Sequence, residues 1–219
     1  MNQLLEKTTA VIQLGKIALK ADIAVPSQAH AFVLFAHGSG SSRLSPRNQM
    51  VASFLNQQGI ATCLFDLLTL EEDIEKINRF NIELLATRLE DVTQWFLTQE
   101  KYHGFRIGYF GASTGAAAAL KAARNIKQIA AVVSRGGRPD LVMNDLPFVK
   151  APTLLIVGQE DTDVLTLNKK ALDQLYWEKK LEIIPGAGHL FEERGTMEKV
   201  CVMAATWFET HLQPLELYN

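Results

Sequence analysis

The reading of one stretch decides the fold: Ile107-Gly108-Tyr109-Phe110-Gly111-Ala112-Ser113-Thr114-Gly115-Ala116-Ala117-Ala118-Ala119-Leu120. Ile107–Phe110 is a short, continuous apolar run, the pattern of a strand buried on both faces. Thr114–Asn125 is alanine-rich and reads as a helix. Between them lies Gly-x-Ser-x-Gly, too short for anything but a sharp corner. Glycines at its two ends let strand and helix approach where larger side chains would collide. Such a corner projects the Ser113 hydroxyl from the sheet edge, at the positive end of a helix dipole.

The same alternation continues outward. Further apolar runs occur at Ala31–Ala36, Ile60–Phe65, Ile129–Val133, Thr153–Val157 and Leu181–Ile184. Segments with helical spacing separate them: Pro46–Gln58, Asn81–Thr98, Leu165–Trp177 and Glu198–His211. Strand alternating with helix implies parallel pairing with right-handed crossovers. Val11–Val25 differs: it partly alternates around Gly15 and stops at Pro26, so it reads as an opening antiparallel hairpin. The expected class is α/β, a mostly parallel central sheet with an N-terminal antiparallel hairpin and helices on both faces. No repeat or linker interrupts it, so residues 1–219 are read as one domain. The segment between Ser134 and Thr153 is short and leaves no room for a large lid. The acidic stretch Glu71–Glu75 reads as a solvated loop or helix start, and His211 as a surface residue of the last helix.

Ligands of an open parallel sheet bind outside the carboxyl ends of its strands, and four segments fall there. Ser113 is the first. A serine nucleophile needs a base; of the five histidines, His189 follows the last strand, in Pro185-Gly186-Ala187-Gly188-His189. The base needs an orienting carboxylate, and Gly158-Gln159-Glu160-Asp161-Thr162-Asp163 follows a buried strand. Asp161 is preferred for its Gly-x-x-Asp position; Asp163 and Glu160 are the alternatives. An oxyanion needs fixed N–H donors. The amide of Thr114 is one, and the amide of Ser39, in His37-Gly38-Ser39-Gly40-Ser41-Ser42, is the other. That loop lacks the Gly-Lys-Ser/Thr of a phosphate loop and any Gly-x-Gly-x-x-Gly. Arg135 and Arg138 follow the strand Ile129–Val133, and Arg43 and Arg47 follow the Ser39 loop. Arginine recognises carboxylate and phosphate through a bidentate fork, so Arg43, Arg135 and Arg138 are candidates for binding an acidic group on a substrate.

His37-Gly38, Gly111-x-Ser113-x-Gly115, Asp161 and His189, in this order, resemble the α/β-hydrolase superfamily across nearly the whole chain. The lidless build is similar to the dienelactone-hydrolase-related group. The strings His37-Gly38-Ser39-Gly40-Ser41-Ser42-Arg43 and Ser134-Arg135-Gly136-Gly137-Arg138-Pro139-Asp140 resemble a bacterial branch of it. The resemblance implies the fold and acyl-transfer chemistry. Dienelactone hydrolases proper carry cysteine at the corner where this chain has Ser113, so lactone substrates do not carry over.

Composition sets the outer bounds. A hydrophobic fraction of 47% with 21% charged residues describes an ordinary globular chain. A formal net charge of −2 gives no reason to expect nucleic acid or an anionic membrane. Cys63 and Cys201 sit in apolar runs and read as reduced core thiols. Met1–Ala10 does not read as a secretory leader, and no run approaches a membrane span, so a cytoplasmic location is expected. No metal-binding spacing occurs. The expected activity is a serine esterase acting on a small soluble ester without cofactor. Thioesterase or acyltransferase chemistry on the same residues is the alternative, and a non-catalytic binding protein on this fold is the reading from another class.

Overall fold

The computed structural model describes residues 5–214; residues 1–4 of the Met1–Ala10 segment and residues 215–219 lie outside it. Its strands are β1 (Leu5–Leu14), β2 (Ile17–Pro26), β3 (Ala31–Ala36), β4 (Ala61–Phe65), β5 (Arg106–Ala112), β6 (Ile129–Arg135), β7 (Thr153–Gly158) and β8 (Lys179–Ile184). Its helices are α1 (Pro46–Gln57), α2 (Leu70–Ile74), α3 (Ile82–Leu97), α4 (Thr114–Asn125), α5 (Thr162–Gln174) and α6 (Thr196–His211).

The strands form one sheet in the order β1-β2-β4-β3-β5-β6-β7-β8. β1, β2 and β4 pair antiparallel, and every pair from β4–β3 to β7–β8 is parallel. The hairpin is longer than its alternation suggests, because the outer half of β1 is exposed and carries little patterning. Leu14 pairs with Ile17, so the turn has two residues, and Gly15 supplies the positive φ (60°) that such a turn requires.

β3 explains how the sheet is covered. All six of its residues are buried, and they alternate between two cores. Phe32, Leu34 and Ala36 face the core built with α3 and α4, while Ala31, Val33 and Phe35 face the core built with α1 and α6. Burial on both faces is why the parallel strands read as unbroken apolar runs.

The order also fixes the site. From β3 the chain steps outward to β4, then returns to β5 on the other side of β3. The carboxyl ends of β3 and β5 therefore flank the crevice where the winding reverses, the place such sheets bind ligands.

Two local expectations change and one gains detail. The helix expected over Leu165–Trp177 spans Thr162–Gln174, because Asp161 occupies its N-cap position. The Glu71–Glu75 stretch is a surface helix start, as read, and two of its acids are also fastened. Thr69 and Glu72 form a capping box at α2, Glu72 pairs with the buried Arg88, and Asp73 pairs with Arg79. His211 is covered rather than superficial: its ring packs at a tilt against Trp207, centroids 4.4 Å apart, and only 11% of its side chain is exposed. Cys63 and Cys201 are buried free thiols, and burial pushes the Cys201 thiol up to about 11.

Candidate active site

Close approach of backbone builds the corner at Ser113. A Cβ on Gly111 would lie 2.4 Å from the Ala116 Cα, and one on Gly115 would lie 2.2 Å from the Ala36 carbonyl oxygen. Backbone cannot swing aside as a side chain can. A Gly115→Ala variant is therefore expected to lose about 3 kcal/mol of stability, at the upper end for overpacking. Chemical denaturation measures it, and a loss below roughly 0.5 kcal/mol, a surface-like value, would show that the β3–α4 approach is not constrained. Between the glycines, Ser113 takes φ 51° and ψ −120°, a backbone region rarely adopted by a residue with a side chain. The half-buried Ser113 directly precedes α4 and makes no side-chain cap bond.

The Ser39 loop closes on this corner. The Ser39 amide donates to Thr114 Oγ1 at 2.8 Å, joining residues 75 apart in sequence. His37 holds the loop. The Leu67 amide donates to His37 Nε2 at 3.1 Å, which leaves Nδ1 to carry the proton and donate to the Gly38 carbonyl at 3.0 Å. Burial lowers the His37 pKa, so this ring is neutral and structural. Sequence reading marked His37 only as part of a family string; a histidine just after a buried strand was the available signal.

His189 and Asp161 are brought together. His189 Nδ1 lies 2.6 Å from Asp161 Oδ2. Asp161 occupies the N-cap position of α5, yet its carboxylate makes no cap bond and goes to the imidazole instead. Backbone ties the two loops: the Glu160 amide donates to the Ala187 carbonyl at 2.9 Å, and the Gln159 amide to Ile184 at 3.0 Å. Gly158 permits this approach, since a Cβ there would meet the Ala187 carbonyl oxygen at 2.2 Å. Glu160 and Asp163, the alternative acids, are exposed.

The segment after β6 connects the histidine to the serine. The Ser113 amide donates to the Arg135 carbonyl, and the Arg138 amide donates to the Ser113 carbonyl, both at 3.2 Å. A Cβ on the intervening Gly136 would lie 3.5 Å from the His189 ring. Ser113 and His189 thus abut the same four residues.

The arginines separate clearly. Arg43 sits 2.8 Å from Asp66 and 3.2 Å from Asp22. Arg138 forms a two-pronged pair with Asp140, at 2.8 Å for each prong. Each has an internal partner of the kind that fixes a loop. Arg135 is 6% exposed and has no carboxylate partner among the described residues.

The arrangement offers a hydroxyl on a strained corner at a helix start, together with an imidazole whose Nδ1 is engaged by a carboxylate. That engagement leaves Nε2 able to accept a proton.

An eight-stranded sheet of this order, with the serine corner at its winding reversal, defines an α/β-hydrolase fold. The chain belongs to the Dienelactone hydrolase family, whose sequence profile matches residues 65–212. It is similar to a dienelactone hydrolase of known structure from Anabaena variabilis: 49% identical, TM-score 0.93, covering 95% of this chain and 99% of that one. The structure of Est1E from Butyrivibrio proteoclasticus, 16% identical with TM-score 0.80 over 93% and 98% of the two chains, shares the fold. A Mycobacterium tuberculosis protein that carries the name "Putative phosphoribosyl transferase" is 52% identical over 199 residues. That match takes in 90% of this chain but 45% of the mycobacterial one, so the chain spans about half the length of that relative. Among the described residues, no helix is long and apolar enough to cross a membrane.

Proposed function

We propose that this chain is a serine hydrolase that cleaves a small ester through an acyl-enzyme, with Ser113 as nucleophile, His189 as base and Asp161 as the orienting acid. One conjunction carries the reading: a serine at φ 51° between β5 and α4, and, on the same Arg135–Arg138 segment, an imidazole 2.6 Å from a carboxylate. His189 Nε2 takes the Ser113 proton as Oγ attacks the carbonyl carbon. The proton is then given to the departing alcohol. Asp161 holds the proton on Nδ1 and stabilises the imidazolium. Water, deprotonated by the same imidazole, releases the acid and restores Ser113.

The oxyanion is received by the amides of Thr114 and Ser39. The Ser39 amide is held by Thr114 Oγ1 at 2.8 Å before substrate arrives, so the oxyanion takes over that bond as the threonine hydroxyl turns away. Each such donor contributes about 100- to 1,000-fold in rate. Serine in place of cysteine makes the His189–Asp161 pair indispensable, because a hydroxyl is far less nucleophilic than a thiol without a base.

An acidic substrate accords with Arg135, which is buried at the end of β6 with no carboxylate partner among the described residues.

Two measurements test the proposal. A fluorophosphonate is expected to label the protein at Ser113 alone, and labelling should vanish in Ser113→Ala. A panel of esters and thioesters of varied length and charge should then show ester cleavage. An unlabelled wild type at high probe concentration would favour a binding role for the fold, and a marked thioester preference would favour the thioesterase alternative.

A further inference from the structure

Arg135 presents an unusual charge. It ends β6, two residues after Val133, and so shares the face of the sheet that packs on α1 and α6. It pairs in register with Ala112, the residue before Ser113. It is almost wholly buried, and its Nε has no hydrogen-bond partner among the described residues. A buried guanidinium is ordinarily paired or multiply hydrogen-bonded, because removing it from water costs several kcal/mol.

What surrounds it does not neutralise it. The guanidinium carbon lies 5.7 Å from the ring centre of Phe191, two residues after His189. Phe191 itself takes φ 54°, a strained setting for a bulky residue, and its backbone is held by a bond from Thr196 Oγ1 to its carbonyl at 2.9 Å. The second neighbour is another cation. Arg47, at the start of α1, reaches Glu192, the residue after Phe191, at 3.3 Å, and its Nε is also buried without a partner among the described residues. Burial, with Arg47 adding to it, pulls the Arg135 pKa down to about 10, so it stays charged at neutral pH. Two guanidiniums therefore meet consecutive residues, Phe191 and Glu192, of the loop that carries His189. Among the described residues their one acid contact is Glu192, whose side chain is 68% exposed and pairs with Arg47. An unpaired cation beside a reactive centre is a site awaiting an anion.

We infer that Arg135, with Arg47 beside it, forms an oxyanion-binding subsite next to the Asp161–His189 pair, and that it holds a carboxylate or phosphate carried by the substrate. This assignment rests on reading the site as a hydrolase centre. It departs from the wider arginine set read from the sequence: Arg43 and Arg138 are occupied by Asp66, Asp22 and Asp140, and Arg47 joins.

The experiment uses three esters with one leaving group and acyl chains ending in methyl, carboxylate or phosphate. Wild type is expected to favour at least one charged ester, and the better of the two names the anion. In Arg135→Met the charged-to-uncharged ratio of kcat/KM should fall by about 10- to 100-fold, mostly through KM, as for loss of hydrogen bonds to a charged group. Arg135→Lys should recover part of the ratio, since the point charge remains without the fork, and Arg47→Met should lower it less. A second readout is independent of turnover. Inorganic phosphate or acetate should raise the melting temperature of wild type and Ser113→Ala but not of Arg135→Met. An unchanged ratio in Arg135→Met, or anion stabilisation that survives it, overturns the subsite while Ser113 labelling keeps the hydrolase reading intact. Anion binding that requires Arg135 in a protein that neither labels nor cleaves any ester keeps the subsite and overturns the hydrolase reading.

Discussion

Ser113→Ala is expected to lower kcat by roughly a million-fold on any ester that the wild type cleaves, with KM little changed. The oxyanion donors and the binding surface survive the substitution, so substrate still binds; the covalent route is what disappears. Residual rate reflects water attack on a carbonyl polarised by the Thr114 and Ser39 amides. The same position makes a second, opposite prediction. Ser113 sits at φ 51° and ψ −120°, a conformation that glycine adopts without penalty and serine does not. Ser113→Gly should therefore raise thermal stability, by about 1 kcal/mol for relief of such strain, while activity falls as far as in Ser113→Ala. A nucleophile held under strain predicts opposite signs in the two readouts. A serine retained only to start α4 would lower stability in both variants and leave turnover within a few-fold of wild type.

The fold was largely legible because burial wrote it plainly. β3 to β7 are covered on both faces, and such strands leave unbroken apolar runs. What was missed lies where covering is one-sided or where partners come from far away. The outer half of β1, Leu5–Thr9, is exposed and so carries no pattern. The fastening of Glu72 and Asp73 depends on Arg88 and Arg79, which no local spacing reveals. The site follows the same division. Ser113, Asp161 and His189 each sit just beyond a recognisable strand, so topology alone gathers them at one edge. The arginines could not be sorted from sequence, because Arg43, Arg135 and Arg138 occupy equivalent positions after strands. What differs is whether an aspartate arrives: Asp66 reaches Arg43 from the loop after β4, Asp140 reaches Arg138 from two residues on, and among the described residues no carboxylate reaches Arg135. The Ser39 amide shows the reverse. Its loop was readable as an amide donor, while its resting partner Thr114 Oγ1, on the far side of the crevice, was not.

Asp161→Asn should reduce kcat by about 10,000-fold without unfolding the chain, the loss expected when this carboxylate becomes an amide and the geometry survives. The change is nearly isosteric, and the loops around it are joined by backbone bonds from Gln159 and Glu160 that the substitution leaves alone. Chemistry, not shape, carries the effect. The Asp161 carboxylate lies 2.6 Å from His189 Nδ1 and accepts from it, so the ring proton is fixed there and Nε2 is left unprotonated, as the proposed base requires. Asparagine can turn its NH2 toward Nδ1 and donate. The imidazole then carries its proton on Nε2 and cannot serve as the proposed base. Asp163→Asn is the matched control: Asp163 is exposed, two residues further into α5, and its loss should change kcat by no more than a few-fold. Measured together with melting curves, the pair separates a tautomer effect from damage to the α5 start. A ten-fold or smaller loss in Asp161→Asn, joined to a thousand-fold loss in Asp163→Asn, would move the acid of the site to the neighbouring aspartate.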